Sequence, residues 1–183
     1  EIMDRPRSFL IERLPKNSYG AEIGVWKGEF AKSLVSSLKP KMLYLIDPWV
    51  FINEYPDRWY GGSSAKQQED MDLIYSNVDN MFSNNKNVKI LKILSEEIPN
   101  YIEPDSLDWT YIDGNHSYEF VLKDLNISFD IVKEGGLITG DDLAPNNGVE
   151  RAIKDFFKEK GNKISLEFAQ ARQFIIKINK KYG

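Results

Sequence analysis

The chain has no cysteine and a single histidine among 183 residues. That absence excludes disulfides, thiolate metal sites and cysteine nucleophiles. It also excludes a multi-histidine metal site within one chain. Any metal must therefore be held mainly by oxygen, which points to Mg²⁺, Ca²⁺ or Mn²⁺. The chain has no excess of positive charge: 24 Lys and Arg face 28 Asp and Glu, for a net charge of −4. A nucleic-acid partner is not expected from that balance, because such proteins carry a basic patch or a high pI. No apolar run approaches the roughly 18 residues of a membrane span. No signal-peptide pattern is visible at the N-terminus. The expected location is cytoplasmic, with no membrane partner. The composition, 42% hydrophobic and 28% charged, is that of a globular protein. The length suits one domain spanning residues 1–183.

Strand and helix patterns alternate along the chain. Apolar segments 21–25, 42–46, 88–94, 107–112 and 137–139 read as strands. Phe30, Leu34, Val35 and Leu38 fall at helical spacing after the first. Tyr118, Val121, Leu122, Leu125, Phe129 and Val132 make a helical stripe after the fourth, and Val149, Ala152, Ile153, Phe156 and Phe157 another after the fifth. Ser95 reads as a helix N-cap with acids in the first turn. Segments 164–168 and 174–178 are strands joined by a few residues, which forces an antiparallel hairpin. The expected class is α/β: a doubly wound, mostly parallel sheet closed by that hairpin.

Segment 49–87 is longer than a plain strand-to-helix connection. It carries Trp49, Phe51, Tyr55, Trp59 and Tyr60, then a polar glycine–serine stretch, and Ile74, Val78, Met81 and Phe82 predict a helix behind it. Long insertions of this kind serve as lids or binding loops. The alternative is that its aromatic residues only pack the loop down. Segment 6–14 reads as a short helix, over the site or part of a homo-oligomer contact.

Chemistry-bearing residues gather past the strand ends. Asp113 ends one apolar run and is followed by Gly114-Asn115 and His116; Asp141 and Asp142 end another. In open α/β sheets that edge is where ligands bind. Gly24 and Gly28 lie between the first strand and its helix, where glycine lets backbone approach a ligand. Their spacing is not that of a dinucleotide fingerprint. Asp47 ends the second strand, a position where an acid accepts hydrogen bonds from ribose hydroxyls. These features indicate an adenosine-type ligand. Each has a plainer reading, as a turn glycine, a turn acid or a helix cap.

Residues 21–30, AEIGVWKGEF, resemble motif I of class I S-adenosylmethionine-dependent methyltransferases. Residues 111–119, YIDGNHSYE, and 135–142, GGLITGDD, resemble the signatures of the small-molecule methyltransferase 24 family. The resemblance implies a seven-stranded sheet of order 3-2-1-4-5-7-6. It places Glu22, Gly24 and Gly28 along the methionine and ribose of the cofactor, Asp47 on the ribose hydroxyls, Trp49 beside the adenine and Ser95 on the adenine ring. Catechol-type O-methyltransferases, which are similar, bind a metal through an acid after strand four and an acid–amide pair after strand five. Asp113, Asp141 and Asp142 match those positions, with an acid in place of the amide, as in sugar-methylating relatives. His116 matches their general base.

The implied activity is O-methyl transfer, with Mg²⁺ or another divalent cation, to a small hydroxylated acceptor such as a sugar or glycosylated metabolite. A metal-bound hydroxyl is acidified, and an imidazole titrating near neutrality can take its proton. Two alternatives stand beside it: a metal-dependent hydroxylase on the same fold, and a non-catalytic cofactor-binding module.

Overall fold

The computed structural model describes residues 5–182. Seven strands form one sheet: β1 (Tyr19–Ile23), β2 (Met42–Ile46), β3 (Val88–Leu91), β4 (Leu107–Ile112), β5 (Val132–Gly140), β6 (Ile164–Gln170) and β7 (Gln173–Ile178). Their order is β3-β2-β1-β4-β5-β7-β6. The first five pair in parallel. β7 runs antiparallel to both β5 and β6. The expected class, order and terminal hairpin are all present.

The central strands are nearly continuous in apolar residues because helices cover both faces. One face packs α4 (Tyr118–Ile131) and α5 (Gly148–Lys160) through Leu125, Phe129, Ile153 and Phe156 onto Ile112, Ile138 and Ile176. The other packs α1 (Arg5–Ile11), α2 (Glu29–Leu38) and α3 (Gln68–Phe82) through Leu10, Leu34 and Val78 onto Leu43, Trp109 and Tyr111.

Some boundaries differ from the sequence reading. β1 begins two residues earlier than expected, and β3 stops at Leu91 rather than at 94. β5 starts at Val132, well before the expected 137. Gly135 and Gly136 precede the expected strand but lie inside the observed one. Gly135 takes φ 82°, and a Cβ on Gly136 would sit 2.4 Å from a Val132 methyl. The glycines accommodate a register shift against β4 instead of ending the strand. Ser95 is not an N-cap: Leu94 holds that position, ahead of a six-residue 3-10 helix, Ser95–Asn100. Pro99 lies inside that helix, which closes at Tyr101, whose N–H donates to Ile98 O at 2.9 Å.

Segment 49–67 has no strand and holds one π-type turn, Trp59–Ser63, before α3. Gln68 ties it down: its side chain accepts from Phe51 N–H (2.8 Å) and donates to Trp49 O (2.9 Å).

Candidate active site

The parallel register brings the strand ends to one level. Ile23 pairs with Ile46 and Ile112, Ile46 with Leu91, and Ile112 with Gly140. One residue further, each chain donates to its neighbour's last carbonyl: Gly24 N–H to Ile46 O (2.8 Å), Asp113 N–H to Ile23 O (2.7 Å) and Asp141 N–H to Ile112 O (3.1 Å). Gly24, Asp47, Asp113 and Asp141 thus form a row along the carboxyl edge. Gly24 takes φ +94°, and a Cβ there would lie 2.3 Å from Asp113 O. Only glycine lets the first loop pass that close to the acid.

Asp47 organises this loop. Its Oδ2 accepts from Val25 N–H (2.9 Å) and Trp26 N–H (3.1 Å), and its Oδ1 from Trp49 N–H (2.8 Å). Burial raises its pKa, and the three backbone hydrogen bonds pull it back. Trp49 is fully buried, its ring against Tyr75 and its indole N–H on Trp26 O at 3.0 Å. It therefore supports the loop from within the core. Trp26 and Trp59, in the glycine loop and the π-type turn, stand with ring centroids 5.6 Å apart. Glu22 is buried below the glycine turn, and its Oε1 has no partner among the described residues. Burial raises its pKa well above the carboxylate range, and Asp113 adds to that.

The acid cluster is already neutralised in part. Asp113 and Asp141 converge on one nitrogen of Arg7, at 2.7 and 3.0 Å. Burial pushes Asp113 up to about 7, against the pull of Arg7. Asp141 also accepts from the Gln173 amide, whose oxygen accepts from Tyr111 O–H at 3.1 Å. Asp142 accepts from His116 Nε2 (2.8 Å) and Arg172 (2.8 Å). The hydrogen bond to His116, joined by Arg172, holds its pKa well below the usual carboxylate range. Backbone geometry places these partners: Asp142 takes φ 64°, and the hairpin turn Ala171-Arg172 takes φ 52° and 65°. A two-residue hairpin turn of that shape favours Asn-Gly, so the strain at Ala171-Arg172 is retained where Arg172 meets Asp142. Asn147 accepts from Glu150 N–H and donates to Asp142 O (2.6 Å), tying the loop to the start of α5.

Among the described residues, ligand atoms of Asp113, His116 and Asp142 lie within 4.8 Å of one another, the grouping able to hold a metal. Asp141 is outside that grouping, with Arg7 on one oxygen and Gln173 on the other. Ser95 meets the buried Asp124 of α4, which burial raises to about 7 against the Ser95 hydrogen bond.

Residues 21–143 match the family described as a methyltransferase domain, methyltransferase 24. The chain belongs to this family. It is an S-adenosylmethionine-dependent methyltransferase. No curated relative matches the chain. Solved structures share the fold at low identity. The O-methyltransferase NovP is 15% identical, with a TM-score of 0.66, over 93% of this chain and 75% of NovP. A methyltransferase-type protein of Streptococcus mutans, in complex with S-adenosylhomocysteine, is 15% identical at 0.60, over 96% and 97%. An rRNA-methylase-type protein of Clostridium thermocellum is 11% identical at 0.63, over 94% and 91%.

In this methyltransferase the sequence signals located Gly24, Asp47, Asp113, His116, Asp141 and Asp142 at one sheet edge. They missed Arg7, Arg172 and Gln173. Arg7 is 106 residues from Asp113 and carries no local signal. Gln173 had one: the order 5-7 sets the polar start of β7 beside the end of β5. Trp49 is in the core rather than on an open surface, because its indole fills the space under the glycine loop. No helix is long and apolar enough to cross a membrane, among the described residues.

Proposed function

We propose that the methyltransferase transfers a methyl group to a hydroxyl of a small acceptor, with a divalent cation held at the Asp113 end of the sheet. The observation that carries this reading is the convergence of Asp113, His116 and Asp142 within 4.8 Å, beside the glycine turn that Asp47 holds. The donor set suits the cation: Asp113 and Asp142 would supply hard carboxylate oxygens that repel each other unless neutralised, with His116 beside them kept out of the donor set as the base. Asp141 would join as a third oxygen ligand once released by Arg7. When bound, S-adenosylmethionine supplies the electrophilic methyl, and the cation acidifies the acceptor hydroxyl.

The protein's own groups do the rest. Gly24 and Gly28 bring backbone close to the cofactor, and Asp47 fixes the loop while keeping a lone pair of Oδ1 for a ribose hydroxyl. The Glu22 oxygen, without a partner among the described residues, would accept from the methionine ammonium, whose charge offsets the burial that disfavours the ionised carboxyl. Ser95, held by Asp124, faces the adenine side. His116 would take the acceptor's proton at Nε2, the nitrogen that faces Asp142 here. The exposed part of segment 49–87 ahead of α3 acts as a lid, while α3 and Trp49 belong to the core. Trp59, 57% exposed and beside Trp26, offers a stacking face for a ring or a sugar. The acids at the site disfavour a polyphosphate acceptor, which supports a small molecule over nucleic acid.

The test is S-adenosylhomocysteine release with a panel of phenolic and sugar hydroxyl acceptors, with and without EDTA. O-methylated product, identified by mass spectrometry and lost with EDTA, is expected. Turnover unaffected by EDTA would remove the cation, and methylation confined to nitrogen or carbon would remove the reaction class.

A further inference from the structure

Arg7 stands out because it does what a metal would do. One of its nitrogens contacts Asp113 Oδ2 and Asp141 Oδ2 at once, and the guanidinium carbon lies 5.1 Å from the centre of the Phe30 ring. The side chain is only 23% exposed. A guanidinium clamped between two carboxylates relieves their mutual repulsion. A divalent cation on the same oxygens would face that positive charge at contact range, so the two cannot share the pair. The helix that carries Arg7 is anchored independently, because Leu10 and Ile11 are buried against the sheet. The guanidinium can therefore leave while α1 stays docked.

We infer that Arg7 is the resident counter-cation of Asp113 and Asp141, and that a divalent cation binds this site only by displacing it. The inference rests on the reading of these acids as a cation site. It makes Arg7 a positioning residue that holds the pair in place before the cation arrives. It also sets the affinity, since each binding event must first break two ion pairs.

The test is Mn²⁺ binding to the purified, cofactor-free protein, read from the free-ion electron paramagnetic resonance signal. Arg7→Met keeps the apolar stem over Phe30 and should bind Mn²⁺ more tightly than wild type by about tenfold or more. Arg7→Lys keeps a cation and should stay within about threefold of wild type. A second readout uses the wild type alone: the Arg7 Nε–Hε NMR cross-peak, assigned by its loss in Arg7→Lys, should move to the position of solvent-exposed arginines as Mg²⁺ is added. A purely structural role for Arg7 predicts the opposite, with equal or weaker binding in Arg7→Met and an unmoved cross-peak at saturating Mg²⁺. That result overturns displacement and leaves the cation site standing. If neither wild type nor Arg7→Met binds Mn²⁺, the cation site itself falls and displacement falls with it.

Discussion

His116 Nε2 lies 2.8 Å from Oδ2 of Asp142. The carboxylate can only accept, so the imidazole donates from Nε2, and its capacity to take a proton there depends on Asp142 finding another partner. The proposed base and a proposed cation ligand are thus coupled through one hydrogen bond. Replacing His116 with Gln should lower kcat by about 10²- to 10⁴-fold, the usual worth of a general base. S-adenosylhomocysteine affinity should stay close to wild type in the same variant. Steady-state kinetics and calorimetry separate the two; an unchanged kcat would remove His116 from the reaction.

Asp47 accepts three backbone N–H groups from two loops. Asp47→Ala leaves all three without their acceptor, at about 1–3 kcal/mol for each that stays buried. The expected outcome is lower stability in urea together with weaker S-adenosylhomocysteine binding. Asp47→Asn keeps one carbonyl acceptor and should fall between. Binding at wild-type strength in Asp47→Ala would show that the loop holds its shape without the acid.

Gly24→Ala tests the close approach at the sheet edge. The added methyl carbon would lie 2.3 Å from Asp113 O, on a residue already at φ +94°. Strain and overlap together should cost on the order of 2–4 kcal/mol. Thermal melting should detect the loss, and the Asp113 loop should shift with it. A variant as stable as wild type would mean that this loop yields easily.

Asp124 makes the fold sensitive to pH. Burial raises its folded-state pKa from the ordinary 3.8 to about 7. Between those values the folded protein holds the proton and the unfolded chain does not. Stability from this group is therefore full below about pH 4, falls as pH rises to about 7, and is level above. Asp113, raised to a similar value, has the same sign. Asp124→Asn removes one titration and should make the fall shallower by up to about 1.4 kcal/mol per pH unit. Urea unfolding at about pH 5 and about pH 8 checks this; an unchanged slope would show that Asp124 is not the group responsible.

The elements that the sequence revealed most clearly were those whose periodicity is enforced by burial on one side. The stripe Val121, Leu125 and Phe129 became the buried face of α4, and Val149, Ala152, Ile153 and Phe156 that of α5. Boundaries set by backbone detail were less legible. Gly135 and Gly136 carry the same local signal whether they end a strand or bend one. Ser95 has a cap residue's chemistry, but the chain enters its 3-10 turn one residue earlier, with the Glu97 side chain accepting from Leu94 N–H at 2.8 Å.

The site divides in the same way. The one histidine, the absence of cysteine and the acids ending two apolar runs already limited the chemistry to oxygen ligands and one imidazole, because those limits depend only on which side chains exist. Parallel register then set Asp113 and Asp141 on one row, a consequence of strand order that local pattern implies. Which charge faces which acid was decided by tertiary structure alone. Arg7 arrives from a helix 106 positions away, and Arg172 from a strained turn 30 positions beyond Asp142. Ion pairs of that kind depend on where packed elements bring long side chains, and packing is a property of the whole fold.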